Sequence, residues 1–291
     1  MSEDFLISDE QLEELIHKYC RDLTALVRKD KFDPITGRDK EIREMILILL
    51  QRGRKNAAML APAGVGKTAS VIGLAQAIVN GDAPEYLRDA RVIEVDMPSM
   101  AAGTDSPAQF QERFIPLCKG IAERHHDISR PKIIIFIDEI HTIMPDVEGS
   151  AYRGLSEAIK PYLTAGDLHI IGATTMDEYK MYIAKDQALD RRFQQIQLAV
   201  PNKEETLAIL EAIKKGYEKH HHITIPTDIV ELIINLTDKH MPRRNQPDKS
   251  IIIMDGACAH NVMENGWNGT LSEKDVRAMV GTETKIHPDA L

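Results

Sequence analysis

The sequence has 291 residues, of which 43% are hydrophobic and 28% charged, so the chain can bury a core and is not a disordered tail. Its net charge of −9 argues against a general nucleic-acid coat protein, and its three widely spaced cysteines indicate neither a disulfide framework nor a zinc site. The acidic amino terminus lacks the order of a signal peptide, and the longest apolar runs are too short to cross a bilayer. We therefore expect a cytoplasmic protein without membrane association.

The first part of the chain predicts two helices and then an alternation of strands and helices. Apolar residues at helical spacing predict an amphipathic helix over about 9–29 and a second helix over 39–51. Strands that alternate with helices favour an α/β domain with a five-stranded parallel sheet. The predicted strands are 57–60, 91–96, 132–137, 168–172 and 196–200, and the helices between them are 68–79, 110–125, 154–163 and 177–188.

The pattern changes after Pro201, where helical periodicity dominates and the only competing strand pattern is a weak one at 223–225. The sequence therefore predicts a small all-helical domain after the α/β domain. The predicted divisions are an N-terminal helix over 1–30, an α/β domain over 31–201 and a helical lid domain over 202–291, with lid helices at 203–221, 227–241, 249–264 and 272–280.

A candidate phosphate-binding loop follows the first predicted strand and opens a helix. In such a loop, glycines let backbone N–H groups surround a phosphate and the helix N-terminus adds a positive dipole. A following lysine reaches the β- and γ-phosphates, and a hydroxyl binds magnesium. Ala61 stands where the strict motif has glycine, which is compatible with the loop if its φ is negative. The candidate nucleotide-binding residues here are Ala63, Gly64, Val65, Gly66, Lys67 and Thr68.

Two carboxylates follow the apolar run at 133–137. A continuous apolar run is typical of a parallel strand that is buried on both faces. Carboxylates at the end of such a strand lie in the crevice where α/β sheets bind ligands. We therefore predict that Asp138, with Thr68, binds magnesium and that Glu139 polarises the attacking water. The two motifs together predict a protein that hydrolyses ATP or GTP.

Two further segments have both a functional and an ordinary interpretation. The hydroxyls of Thr174 and Thr175, at the end of a predicted strand, could orient the attacking water, or the segment could be a plain turn. Arg191 and Arg192 could reach the γ-phosphate of a neighbouring subunit as arginine fingers, or they could form a solvated basic turn. Lys249, at a helix start in the lid, could approach nucleotide phosphate or lie in a solvated loop.

In combination, these motifs resemble the first nucleotide-binding domain of Clp-type AAA+ protein-remodelling ATPases. The resemblance runs from about residue 31 to residue 263, and its motifs occur in the family order. It depends on the segments 33–39, 64–68, 136–141, 172–175 with 177–179, 191–193 and 247–249, together with the histidine run at 220–222.

The resemblance implies a role for each matching residue. It implies that Thr175 is the first sensor and that Arg191 and Arg192 act in trans as fingers. Such proteins assemble into hexameric rings with ATP and Mg²⁺ at each subunit interface, so the resemblance implies a homo-oligomer that handles a protein client. It also implies an adenine pocket, lined by Ile35 and Thr36 and closed by Ile209 and Pro247 of the lid.

The segment 102–110 departs from the family pattern. Relatives carry a tyrosine there that grips polypeptide in the central pore, and the register of this sequence puts Ser106 at that position. A serine offers little surface for holding an extended chain, and Pro107 stiffens the segment. The loop at 144–150 is also short relative to the family's glycine-rich version, and the sequence shows no second ATPase domain and no inserted coiled coil.

Three functions therefore stay open at this point. The first is an ATP-driven ring that remodels or disassembles protein complexes. The second is an assembly switch or scaffold that recruits a partner when ATP is bound and threads nothing. Ser106 at the pore-loop tyrosine position favours this second function over the first. The third is a nucleic-acid-associated AAA+ ATPase, against which the acidic composition argues.

Overall fold

The computed structural model describes residues 5–104, 106–127, 129–150, 152 and 154–291. The chain divides into two compact units, each with its own hydrophobic core. The predicted α/β fold followed by a helical lid is confirmed, whereas the exact domain limits at residues 30 and 201 stay predictions. The first unit comprises Met1–Phe32, Lys40–Leu60 and Lys67–Gln197, and the second comprises Asp33–Asp39, Ala61–Gly66 and Leu198–Leu291.

A six-stranded sheet forms the centre of the first unit, in the order β1-β3-β4-β5-β2-β6. Every pairing among β2 to β6 is parallel, and strands β2 and β5 are buried along their whole length, as expected for a sheet covered on both faces. The strands are β1 (Cys20–Asp22), β2 (Asn56–Leu60), β3 (Arg91–Val95), β4 (Ile133–Ile137), β5 (His169–Thr174) and β6 (Phe193–Gln197).

The prediction of five strands was wrong by one, because β1 pairs antiparallel with the edge of β3. This strand interrupts the helix predicted over 9–29. Asp22 ends the strand and caps the next helix, since its carboxylate accepts the N–H of Ala25 and an N–H of Arg91 on β3. Helix α1 (Asp9–Tyr19) therefore precedes the strand and α2 (Leu23–Val27) follows it.

The last strand begins three residues earlier than predicted. The apolar run at 196–200 suggested a later start, but β6 pairs residue by residue with β2 from Asn56↔Phe193 to Leu60↔Gln197. Arg54 donates to the Phe193 carbonyl and Asn56 to the Arg192 carbonyl, which fixes this register. The two candidate finger arginines consequently lie directly before β6, the edge strand that pairs with β2.

Helices cover the sheet of the first unit. The helix predicted over 177–188 is instead a short helix, a π-helical turn at Tyr179–Ile183 and a second short helix. The helices predicted over 39–51, 68–79, 110–125 and 154–163 are present to within a few residues, whereas the short helix α5 was not predicted. The helices that follow α2 in the first unit are α3 (Asp39–Leu49), α4 (Lys67–Asn80), α5 (Met97–Ala101), α6 (Pro107–Glu123), α7 (Leu155–Ala165), α8 (Met176–Glu178) and α9 (Gln187–Asp190).

The second unit contains four helices of the predicted lid, packed around the apolar core of Leu210, Ile233, Ile253 and Val276. The weak strand pattern at 223–225 corresponds to a single bridge between Thr224 and Thr270. Among the described residues, no helix has both the length and the apolar character needed to cross a bilayer. The helices are α10 (Lys203–His221), α11 (Thr227–His240), α12 (Asp248–Asn265) and α13 (Glu273–Thr284).

Candidate functional site

Asp138 follows the buried strand β4, and both of its carboxylate oxygens are held. One accepts the hydroxyl proton of Thr68 at 3.2 Å, and the other accepts the backbone N–H of Glu139 at 3.0 Å. Thr68 is the second residue of α4, so the hydrogen bond between Thr68 and Asp138 joins the start of this helix to the end of strand β4. Hydroxyl and carboxylate oxygens are the hard donors that Mg²⁺ prefers, and the pair therefore fits a magnesium site.

Glu139 lies on a sharp turn after β4, with left-handed backbone angles of φ 50° and ψ 46°. Its side chain is about half exposed (53%). Burial raises the pKa of its carboxyl, and the nearby carboxylates of Glu178 and Asp138 raise this pKa further. A carboxylate with a raised pKa accepts a proton more readily, which suits a general base.

Gly172 on β5 makes room for this turn. A Cβ at that position would collide with the side chain of Ile140, the residue after Glu139. Glycine is therefore required at position 172, because any side chain there would occupy the space between β5 and the turn that contains Ile140.

Replacing Gly172 with alanine is expected to displace the Glu139 turn. The collision with Ile140 should destabilise the protein by about 1–3 kcal/mol and lower ATP turnover. Urea unfolding and a steady-state ATPase assay would measure the two effects. Gly53→Ala is a matched control, because a Cβ at Gly53 meets nothing within 4 Å. Equal behaviour of the two variants would contradict the proposed role of this contact.

A hydrogen-bond network connects the end of β5 with this turn. The Glu178 carboxylate accepts the hydroxyl protons of Thr174 and Thr175, each at 2.8 Å, and the backbone N–H of Thr175 at 3.0 Å. Although burial opposes it, these bonds hold the pKa of the Glu178 carboxyl below its usual value. His141 Nδ1 lies 2.9 Å from the Thr174 hydroxyl. Thr175, the predicted sensor, also caps helix α8.

The candidate phosphate loop, Ala61–Gly66, lies in the second unit and leads directly into α4. Gly64 and Gly66 have φ values of +78° and +103°, which only glycine adopts without strain. Ala61 is buried and is not among the residues with positive φ, so the departure from glycine is compatible with the loop.

Side chains from other parts of the second unit hold this loop. The Asn245 amide donates to the Ala63 carbonyl at 3.0 Å, and the Arg38 guanidinium donates to the Val65 carbonyl at 2.5 Å. A Cβ on Gly64 would lie 2.7 Å from that of Asp248, so this glycine is also needed for close packing. The loop is therefore held in place by side chains that lie outside it in the sequence.

The candidate adenine-pocket residues all lie in the second unit. Ile35 is half-buried and Thr36 is exposed, and a Cβ at the next residue, Gly37, would lie 3.9 Å from the Ile209 side chain. Pro247 is buried directly before α12. The fold thus places Ile209 beside the segment that contains Ile35 and Thr36.

Arg191 and Arg192 lie between α9 and β6. Arg191 is exposed and Arg192 half-buried, and within the described ranges neither guanidinium forms a salt bridge. Some other arginines of the first unit are neutralised, for example Arg91 by Asp22 and Glu13, whereas others such as Arg43 and Arg52 form no salt bridge within the described ranges. An unneutralised arginine pair is compatible with a partner outside the chain.

Two other candidate residues have local structural roles. Ser106 is the N-cap of α6 and accepts the N–H of Gln109 at 3.4 Å, while Asp105 of the same segment lies outside the described residues. Lys249, for which the sequence left nucleotide contact and a solvated loop open, is buried on α12 and forms an ion pair with Asp238 at 2.8 Å, which excludes the solvated loop.

A parallel sheet whose strands end in carboxylates and hydroxyls, with a glycine-containing loop before a helix, defines the class of phosphate-loop nucleoside triphosphatases. Residues 57–199 match the family described as "ATPase family associated with various cellular activities (AAA)", and residues 202–285 match the AAA lid domain. The chain therefore contains an AAA+ ATPase domain followed by an AAA lid domain.

Relatives and solved structures show that this domain is a Clp-type AAA+ ATPase domain. The chain is 40% identical over 97% of its length to the chaperone protein ClpB of Vibrio cholerae, and 42% identical over 86% to that of Mycobacterium tuberculosis. It spans about a third of their length, 32% and 29%. The structure of Hsp104 with ATPγS and FITC casein matches 94% of this chain and 46% of its own, with a TM-score of 0.83 and 33% identity.

Sequence reasoning assigned no role to His141, Glu178, Arg38 or Asn245. His141, Glu178 and Arg38 stand inside the segments that carry the family resemblance, so a signal for their importance was present, although not for their contacts. Arg38 and Asn245 are 27 and 182 residues away from their partners in the loop, and no local pattern predicts such contacts.

Proposed function

We propose that this chain is a magnesium-dependent ATPase of the Clp type that works as a ring oligomer in the cytoplasm and remodels or disassembles protein complexes. The observation that carries the proposal is the pairing of Thr68 with Asp138 beside the half-exposed Glu139. This arrangement offers a site for a metal and a base for water at one strand end.

The residues divide the chemistry of ATP hydrolysis among them. Lys67 and the backbone N–H groups of the loop from Ala63 to Gly66 bind the phosphates. Thr68 and Asp138 would hold Mg²⁺, which when bound would neutralise charge on the β- and γ-phosphates. Glu139 accepts a proton from the attacking water while a bond forms between that water oxygen and the γ-phosphorus. The bond to the β,γ-bridging oxygen breaks, which yields ADP and phosphate.

The other candidate residues position the reactants. Thr175 orients the water from the end of β5, and Ile35, Thr36, Ile209 and Pro247 hold the adenine. Arg191 and Arg192 stabilise the transition-state charge on the nucleotide of a neighbouring subunit, so hydrolysis requires assembly. A protein client is proposed by analogy with relatives named as chaperones and with Hsp104 solved in the presence of casein.

A second candidate function, an assembly switch or scaffold that threads nothing, is supported by Ser106. Its hydroxyl caps α6, and a capping serine presents no aromatic surface for gripping a polypeptide. ATP-dependent unfolding of a tagged test protein by the wild-type chain distinguishes the two functions. Unfolding supports the remodelling function, whereas intact ATPase activity without unfolding supports the scaffold.

Replacing both Arg191 and Arg192 with alanine is expected to leave ATP binding unchanged and to lower turnover by about 10³-fold or more, the usual effect of losing an arginine finger. Titration with a fluorescent ATP analogue and a phosphate-release assay measure the two quantities. Arg88→Ala is the control, because the ion pair that this exposed arginine forms among the described residues is with Glu85 in the same turn. Normal turnover by the double variant would overturn the finger assignment.

A further inference from the structure

The His141 ring lies between the catalytic turn and the end of β5. Its Nδ1 atom is 2.9 Å from the Thr174 hydroxyl, 3.4 Å from a Glu178 carboxylate oxygen and 3.6 Å from a Glu139 carboxylate oxygen. The side chain is only 12% exposed, and its ring stacks on Tyr182 with centroids 5.9 Å apart. One nitrogen therefore faces three oxygens, each from a different side chain.

The hydrogen-bond partners assign a proton to Nδ1. The Thr174 hydroxyl has one proton, which it donates to the Glu178 carboxylate at 2.8 Å. The same hydroxyl oxygen must then accept from His141, so Nδ1 is an N–H donor whether the ring is neutral or charged.

Glu178 is a rigid anchor for this arrangement. Its carboxylate accepts the Thr175 backbone N–H, and its own N–H donates to the Thr175 hydroxyl, so the pair forms a capping box. Since Thr174 is fully buried on β5, the acceptor group that holds the His141 N–H cannot move without disturbing the sheet.

Glu139 lacks a comparable anchor. Among the residues that the structure describes, His141 is the only one whose side chain forms an ion-pair contact with the Glu139 carboxylate. A half-exposed glutamate on a turn otherwise samples several rotamers, and catalysis by a base requires one geometry.

We propose that His141 is a positioning residue for Glu139, with its Nδ1–H held in place by Thr174 and Glu178. The proposal rests on the proposed function, because it assumes that Glu139 is the base. The Glu139 oxygen lies 3.6 Å from Nδ1, so the single Nδ1–H, whose near acceptor is the Thr174 hydroxyl at 2.9 Å, reaches Glu139 as the longer branch of a shared, three-centre hydrogen bond. The bond would hold that carboxylate toward the attacking water and limit its rotamers.

Substitution of His141 by amide side chains tests which of its two ring nitrogens is needed for ATP turnover. His141→Asn places an amide nitrogen near the position of Nδ1, whereas His141→Gln places one near Nε2, and His141→Phe keeps a ring for Tyr182 but has no donor. We expect the Asn variant to keep kcat within about threefold of the wild type, and the Gln and Phe variants to lose about tenfold. KM for ATP should stay unchanged in all three, because the bond acts on the base and not on ATP binding.

Other outcomes would contradict the proposal. If Phe retains activity, or if Gln equals or exceeds Asn, His141 contributes only packing. Thermal unfolding of each His141 variant identifies any that do not fold. If a His141 variant does not fold, Thr174→Val and Thr174→Ser repeat the test, since valine removes the anchoring hydroxyl and serine keeps it. Loss of kcat with valine and its retention with serine support the proposal, and equal values overturn it.

The same experiments separate this proposal from the function on which it rests. ATP binding and turnover are measured first for the wild-type chain. If the wild type binds ATP but Glu139→Gln hydrolyses it normally, the assignment of the base fails. If Glu139→Gln is inactive while the His141 series shows no difference, only the positioning proposal fails.

Discussion

Replacing Lys67 with alanine is expected to weaken ATP binding by more than about 100-fold and so to abolish hydrolysis at ordinary ATP concentrations. Lys67 is the first residue of α4, at the end of the glycine-containing loop, and it is largely buried. A charge-assisted hydrogen bond contributes about 1.5–3 kcal/mol, and losing two bonds to phosphate oxygens exceeds the ~2.7 kcal/mol that corresponds to 100-fold.

Isothermal titration with ATP and Mg²⁺ measures this effect directly. Lys274→Ala is a suitable control, because Lys274 is an exposed lysine on helix α13. Circular dichroism and thermal unfolding establish that both variants are folded. Wild-type affinity in the Lys67 variant would mean that the loop from Ala61 to Gly66 is not the phosphate site.

Strands β2 to β5 could be predicted because each contains a short apolar run. The burial of β2 and β5 on both faces makes several successive residues of each strand apolar, and this signal is local. The short strand β1 gave no such signal. Its three residues continue a helical apolar pattern, and only pairing with Val95, Glu94 and Ile93 on β3 makes them a strand.

In the candidate site, too, features that depend on the local sequence could be predicted, whereas features that depend on long-range contacts could not. Asp138, Glu139 and Thr175 could be predicted because each stands at the end of an apolar run, where parallel strands bring polar groups to one edge. The contact between His141 and Thr174 depends on β4 and β5 being neighbours, which the sequence alone does not specify. The position of β6 was predicted incorrectly because Leu198 continues the apolar run after the strand has ended at Gln197.

The Glu139→Gln variant is expected to keep ATP affinity within about threefold of the wild type and to lose turnover by about 10²–10⁴-fold, the range for removal of a general acid–base group. Glutamine keeps the length and shape of the side chain, so binding is preserved, but its amide cannot accept a proton from water. The raised pKa of the Glu139 carboxyl, caused by burial and then by Glu178 and Asp138, strengthens the base that this substitution removes.

Because this variant binds ATP without consuming it, the same protein tests assembly. Light scattering with saturating Mg-ATP should show a shift from the monomer mass to about six times that mass, since shared sites with Arg191 and Arg192 require neighbouring subunits. Glu85→Gln, an exposed carboxylate in the turn after α4, serves as the control for turnover. A Glu139→Gln protein that binds ATP but stays monomeric would leave the two arginines without a nucleotide to contact, and the proposal of a homo-oligomeric ring would then be wrong.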